Sequence, residues 1–174
     1  MKLLTLIRHA KSSWNHPGME DFARPLNRRG KRDAEAMGKR LAAMEFMPDL
    51  LLSSPAKRAR GTAKRVAKEI EYPKSRIEFN DGIYHAVSDS LLRIVRDIDD
   101  AVEHAALVGH NPGFSEFSAL LSQDFIGGLP TCAVVRLQLC VNSWQEVSRK
   151  CGTLIDFDYP KRSVAGDLAS GAEA

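Results

Sequence analysis

"LLTLIRHAKSSWN" occupies residues 3–15. Its first five residues are apolar or β-branched, and residues 2–7 read as a short strand with both faces in a core. The run stops abruptly at Arg8-His9, and small and hydroxyl residues follow. A buried strand that ends on a cation and an imidazole places both at a sheet edge. The same pattern recurs twice. A second strand candidate, residues 49–52, is apolar after Asp49 and ends in Ser53-Ser54-Pro55, with Arg58 just beyond. A third, residues 105–108, ends in Gly109-His110-Asn111-Pro112. Residues 133–139 and 153–157 also have strand character.

Helical patterns lie between these runs. Asn27 is placed to cap a helix in which Ala34, Met37, Leu41 and Met44 recur at helical spacing. Ser54-Pro55 reads as a cap and first-turn proline ahead of Ala59, Ala63, Val66 and Ile70. Ser88 is a candidate cap for residues 91–98, and Asn111-Pro112 repeats the cap-and-proline signal before residues 114–121. Alternation of strand and helix predicts an α/β fold of three layers, a mostly parallel central sheet flanked by helices.

The chain has 174 residues, read as one domain over residues 1–162 with a flexible C-terminal tail at 163–174. A hydrophobic share of 44% and a charged share of 27% suit a soluble globular protein. The net charge of +3 is too small to point to nucleic acid. The first apolar run is too short for a membrane span or signal peptide, and Arg8 interrupts it. Cys132, Cys140 and Cys151 are odd in number, include no CxxC pair and have no histidine spaced for zinc. Reduced thiols and a cytoplasmic setting are expected, with no nucleic-acid or membrane partner.

In parallel sheets ligands bind beyond the carboxyl ends of the strands. If the first three strands are neighbours, Arg8, His9, Arg58 and His110 meet on one edge beside two helix N-termini, whose free N–H groups favour anions. Any one of the four residues alone reads as a solvated charge or a satisfied loop residue. Their joint occurrence at successive strand ends reads as a pocket for a dianion. His16 and His104 read as surface or loop residues. His85, in "DGIYHAVSD", stays open. The acidic residues Glu20, Asp21, Asp97, Asp99, Asp100, Asp156 and Asp158 read mostly as loop or solvated-face charges.

"LIRHAKSSW", "DFARPLNRRG", "LLSSPAKRARGTA", "IYHA" and "LVGHNPG", in this order and spacing, resemble the histidine phosphatase superfamily. More narrowly they are similar to its SixA-like phosphohistidine phosphatase branch, from residue 1 to about residue 157. The resemblance implies a phosphoglycerate mutase-like fold. It makes His9 the nucleophile that becomes phosphorylated, Arg8 and Arg58 the phosphate-binding arginines, and His110 the second pocket histidine. Asn15 falls where an asparagine can contact phosphate, and Ser12 and Asn111 join it as candidate substrate-binding residues. The superfamily usually has glycine after the histidine; here Ala10 stands there, a change SixA-like members accept. Where many members supply a glutamate as proton donor, this chain has His85, with Asp81 nearby. The general acid is therefore left among His85, Asp81 and solvent.

These residue types fit phosphoryl transfer, which is mostly positioning and charge stabilisation. A guanidinium offers two parallel hydrogen bonds to phosphate and stays charged. His9 must be neutral to attack, and neighbouring arginines favour the free base. Two steps are expected: transfer to His9, then hydrolysis by water. With arginines carrying the positive charge, no metal or cofactor is expected. The first expectation is removal of phosphate from phosphohistidine in a partner protein. A phosphatase for a small phosphorylated metabolite, or a phosphate-binding module without turnover, are the alternatives. The presence of His9 argues against the last of these. The chain is short for the insertions that cover a mutase site.

Overall fold

The computed structural model describes residues 1–14, 17–124 and 126–162. Asn15, His16 and the expected tail at 163–174 lie outside the described residues. In chain order the elements are β1 (Lys2–Arg8), α1 (Arg28–Ala43), β2 (Leu50–Ser53), α2 (Lys57–Glu69), β3 (Glu78–Phe79), α3 (Ser88–Arg96), β4 (His104–Gly109), α4 (Gly113–Ser122), β5 (Val134–Leu139) and β6 (Gly152–Asp158). They build a three-layer α/β fold with a mixed, mostly parallel sheet in the order β3-β2-β4-β1-β5-β6.

The three strands expected to be neighbours are so. β1 runs parallel to β4 from Leu3 opposite His104 to Arg8 opposite Gly109. β2 runs parallel to β4 on its other side, from Leu50 opposite Ala105 to Ser53 opposite Val108. β5 is antiparallel to β1, and β6 to β5. The carboxyl ends of β2, β4 and β1 therefore share one edge of the sheet.

The unbroken apolar runs follow from burial on both faces. Leu4 and Leu6 of β1 and Ala105 and Leu107 of β4 enter one core with Leu91, Phe114, Phe117 and Trp144. Ile7, Ala106 and Val108 enter the other with Met37, Leu41, Ala63 and Val66. Alternate residues of each strand thus serve opposite layers. α1 and α2 cover one face; α3 and α4 cover the other. Full burial of each such leucine or isoleucine contributes about 1.5–3 kcal/mol.

Several local expectations change. Asn27 caps α1 as read, its Oδ1 accepting from the Gly30 N–H at 2.8 Å. Ser54 does not cap α2, which begins at Lys57 after Ala56. Its hydroxyl takes the Ala56 N–H at 3.3 Å and also meets His110, because β2 must first clear the sheet edge. Asn111 does not cap α4, whose N-cap is Pro112; the Asn111 amide donates to the Leu129 carbonyl at 3.2 Å. α3 starts at Ser88 itself and ends at Arg96. β3 has two exposed residues and so no apolar run to betray it. His104, expected on the surface, is a buried strand residue 3.0 Å from Thr5 Oγ1 and edge-on to Phe46. Among the described residues no helix is long and apolar enough to cross a membrane.

One contact ties the layers to the sheet edge. A Cβ on Gly113, the first residue of α4, would lie 1.9 Å from the Ala86 carbonyl oxygen. The α4 N-terminus and the segment after His85 touch through backbone, and only glycine permits it.

Candidate active site

The main chain of His9 is pinned from both sides. Its N–H donates to the Gly109 carbonyl at 2.9 Å, and its carbonyl accepts from the Cys132 N–H at 3.1 Å. Ala10 is fully buried, and its N–H donates to Thr62 Oγ1 at 3.0 Å, which fastens α2 to the end of β1. The His9 ring has a defined tautomer. Nδ1 lies 2.8 Å from the Ala10 carbonyl oxygen, which can only accept, so Nδ1 carries the proton. Nε2 lies 3.2 Å from Arg58 Nε, which can only donate, so Nε2 presents its lone pair. Burial, together with the charges of Arg58, Arg8 and Arg24, lowers the His9 pKa to about 4 against the opposing pull of the Ala10 hydrogen bond.

Arg58 stands in the first turn of α2, buried, and faces the end of β1. Besides His9, its guanidinium donates to the Asp21 backbone carbonyl at 2.6 Å and to Asp21 Oδ2 at 2.8 Å. Arg8 donates to the Leu129 carbonyl, the oxygen that Asn111 also reaches. His110 follows β4, with its ring centroid 5.1 Å from that of His9. Its Nε2 is 2.7 Å from the Ser54 hydroxyl. Ser54 also accepts from the Ala56 N–H, so this hydroxyl ties His110 to the first turn ahead of α2. Burial first, then the charges of His9, Arg58 and His85, lowers the His110 pKa to about 3. Among the described residues, Nδ1 of His110, Nε of Arg8 and Oδ1 of Asn111 are buried without a hydrogen-bond partner.

His85 hangs over this cluster. Its side chain is 62% exposed, its ring stacks on Tyr84 at 4.0 Å, and it stands edge-on to His110 at 6.0 Å. Its backbone φ of +53° is unfavourable for a residue with a Cβ. Such strain persists only where the surroundings fix it. The carboxylate in contact with His85 is that of Asp21, 3.3 Å from its Nε2. Asp81 lies exposed in the 3-10 turn ahead of Tyr84. A recess of about 310 Å³ opens beside His85 and His110, bounded by Val87, Asn111 and Glu116.

Sequence patterning brought Arg8, His9, Arg58 and His110 to one edge, the resemblance added His85, and the structure gathers all five. Ser12 is buried, and its hydroxyl accepts from Arg24 at 2.6 Å. Sequence reasoning missed Asp21 and Tyr84. Asp21 was read as a loop charge, yet it accepts from Arg58, from Arg24 Nη1 at 2.9 Å and from the Tyr84 hydroxyl at 2.8 Å. Partial burial opposes its ionisation, but those hydrogen bonds outweigh it and hold the carboxyl well below the usual carboxylate range. The signal was present in "DFARPL", where Asp21 and Arg24 are three apart, but no role attached to it.

The cluster brings two guanidiniums and two imidazoles to one sheet edge, and the His9 imidazole presents its lone pair there. That set suits a tetrahedral oxyanion. Among the described residues no group of three or more His, Cys, Asp or Glu side chains is gathered to hold a metal ion.

The histidine phosphatase superfamily (branch 1) family model matches residues 4–83, which include Arg8, His9, Asp21 and Arg58. An uncharacterized chloroplastic protein of Arabidopsis thaliana is 31% identical over 151 residues, covering 82% of this chain and 69% of that protein. The crystal structure of a candidate phosphohistidine phosphatase SixA from Agrobacterium tumefaciens superposes with a TM-score of 0.78 at 30% identity, over 91% of this chain and 98% of that one. The mycobacterial glucosyl-3-phosphoglycerate phosphatase shares the fold, with a TM-score of 0.66 at 15% identity over 88% of this chain and 97% of its own.

Proposed function

The chain belongs to the histidine phosphatase superfamily, in its SixA-like branch, and from that premise we propose that it removes phosphate by way of a phosphohistidine formed on His9. The observation that carries this reading is the His9 tautomer. Its lone pair sits on Nε2, inside the ring of Arg58, Arg8 and His110.

In the first step Nε2 forms a bond to phosphorus as the bond to the leaving atom breaks, and that atom takes up a proton. Arg8, Arg58 and His110 hold the equatorial oxygens. In the second step a water oxygen attacks phosphorus, the N–P bond breaks, and inorganic phosphate leaves with His9 neutral again. No metal or cofactor takes part, because the arginines supply the positive charge. His85, beside Asp21, is the proton donor to the leaving atom; Asn111 positions the Leu129 carbonyl that anchors Arg8.

For the substrate, the recess beside His85 and His110 favours a small phosphorylated metabolite, since about 310 Å³ accommodates a compact leaving group. The fold also serves a phosphatase of that kind in mycobacteria. A phosphohistidine on a partner protein is the second reading. It is supported by the exposure of His85 and by the similarity to the Agrobacterium tumefaciens protein. One comparison tests both: kcat/KM for a panel of phosphomonoesters against that for a phosphorylated histidine phosphotransfer domain. A hundredfold preference for a monoester decides for the metabolite, and the reverse for the protein. Absence of phosphate release from every substrate would refute turnover.

A further inference from the structure

Asp21 opens the short 3-10 turn Asp21–Ala23, half-buried beside the site, and three segments converge on its carboxylate. Oδ2 accepts from Arg58 Nη2 at 2.8 Å and from the Tyr84 hydroxyl at 2.8 Å, and lies 3.3 Å from His85 Nε2. Oδ1 accepts from Arg24 at 2.9 Å, and the Asp21 backbone carbonyl accepts from Arg58 Nη1 at 2.6 Å. Arg58 thus commits both terminal nitrogens to Asp21 and its Nε to His9. The side chain of Arg58 is 5% exposed, whereas that of Asp21 is 40% exposed. The arginine is fixed and the carboxylate is the partner with room to move.

We propose that Asp21 is a positioning residue that exchanges with phosphate for Arg58: it yields Arg58 to the substrate and reclaims it when inorganic phosphate leaves. The inference rests on the phosphate site proposed above. Two arginines and a histidine would hold a dianion tightly, and tightly held product slows turnover. A carboxylate within reach of the same guanidinium weakens that hold by competition and by like-charge repulsion. It also keeps Arg58 oriented between turnovers, and the Tyr84 and Arg24 donors keep the carboxylate ionised and within reach. The groups facing it are Arg24 on its own turn, Arg58 from α2, and Tyr84 and His85 from the segment before α3.

The test is calorimetric titration of the full chain with inorganic phosphate, alongside steady-state kinetics. Asp21→Asn and Asp21→Ala should both bind phosphate at least threefold more tightly than the unaltered chain, show correspondingly stronger product inhibition, and lose kcat. Asp21→Glu should restore the weaker binding. A merely structural role predicts the opposite sign, since a disordered Arg58 would bind phosphate less well. Phosphate binding that is equal or weaker in both variants overturns the role of Asp21 alone. Absence of phosphate binding in the unaltered chain as well overturns the site itself.

Discussion

Nε of Arg58 lies 3.2 Å from Nε2 of His9, so the arginine donates to the nitrogen assigned to attack phosphorus. The contact is at the long end for a hydrogen bond between nitrogens, and it engages only one of the donors on Arg58. It fixes the ring plane of His9, and its charge adds to burial, the chief cause, in keeping the ring neutral. A phosphate oxygen, carrying full negative charge, is a stronger acceptor than a neutral imidazole and takes Arg58 from it.

His9→Ala should retain the folded circular dichroism spectrum and lose nearly all turnover. Rapid quenching of the unaltered chain with a labelled phosphodonor, in the presence of EDTA, should trap an acid-labile, alkali-stable phosphoenzyme with the label on His9. Label on Ser12, Ser13 or a cysteine would refute the assignment. Failure to form in EDTA, with rescue by a divalent cation, would refute metal independence.

Arg58→Ala should weaken vanadate inhibition at least tenfold, because a hydrogen bond to a charged partner contributes about 1.5–3 kcal/mol. It should also let the His9 pKa rise from about 4 toward its ordinary value, since a neighbouring cation is lost. Ring-proton NMR titration reads this directly. Unchanged vanadate inhibition would show that Arg58 stays with Asp21 when the anion binds.

The acid limb of kcat/KM should lie near pH 4. His9 attacks as the neutral base, and its pKa is lowered from 6.5 to about 4, chiefly by burial. Activity limited by this group therefore persists as pH falls through 6 and is lost only near 4. A limb at about 6.5 that disappears in His9 variants would contradict the buried, neutral ring.

His104 should make stability fall with acid. Burial, with the charge of Arg136, lowers its pKa from 6.5 to about 4. The unfolded chain takes up a proton near pH 6.5 and the folded one only near 4. Its contribution is thus complete above about 6.5 and lost as pH falls toward 4. That window is worth at most roughly 3 kcal/mol. Urea unfolding at pH 7 and 4.5 should show the loss, and His104→Gln should reduce the difference. His9 and His110 act in the same direction.

Gly113→Ala should destabilise by about 1–3 kcal/mol, the usual cost of forcing atoms into a filled space. The added methyl meets the Ala86 carbonyl at 1.9 Å, so relief must come from moving the segment that carries His85. Activity should fall more than phosphate binding does. An unaffected thermal midpoint would mean that this backbone contact is loose.

The strands and their polar ends were legible because each is a local contrast. An apolar run that stops on Arg8-His9 or Gly109-His110 needs no partner to be seen; β1 exceeds the expected residues 2–7 by one residue at its end, and β4 exceeds residues 105–108 by one at each end. The caps were less legible. Ser54 and Asn111 have the chemistry of capping residues, but the sheet edge offered His110 and Leu129 as competing partners, and these prevailed. His104 was misread because a histidine flanked by a glutamate and alanines carries no local sign of whether Thr5 will lie opposite.

The sequence by itself determined the layered α/β fold, the sheet edge on which the site lies, and four of its groups. All of these follow from polarity patterns a few residues long. Only the tertiary structure decided how those groups are used. Asp21 meets Arg58 across 37 positions of sequence and Tyr84 across 63. Whether a carboxylate in a short loop is a solvated charge or the partner of a buried arginine depends on where a distant helix and a strained turn come to rest. Burial then sets the protonation of His9 and His110, and burial is a property of the packed chain, not of any stretch of it.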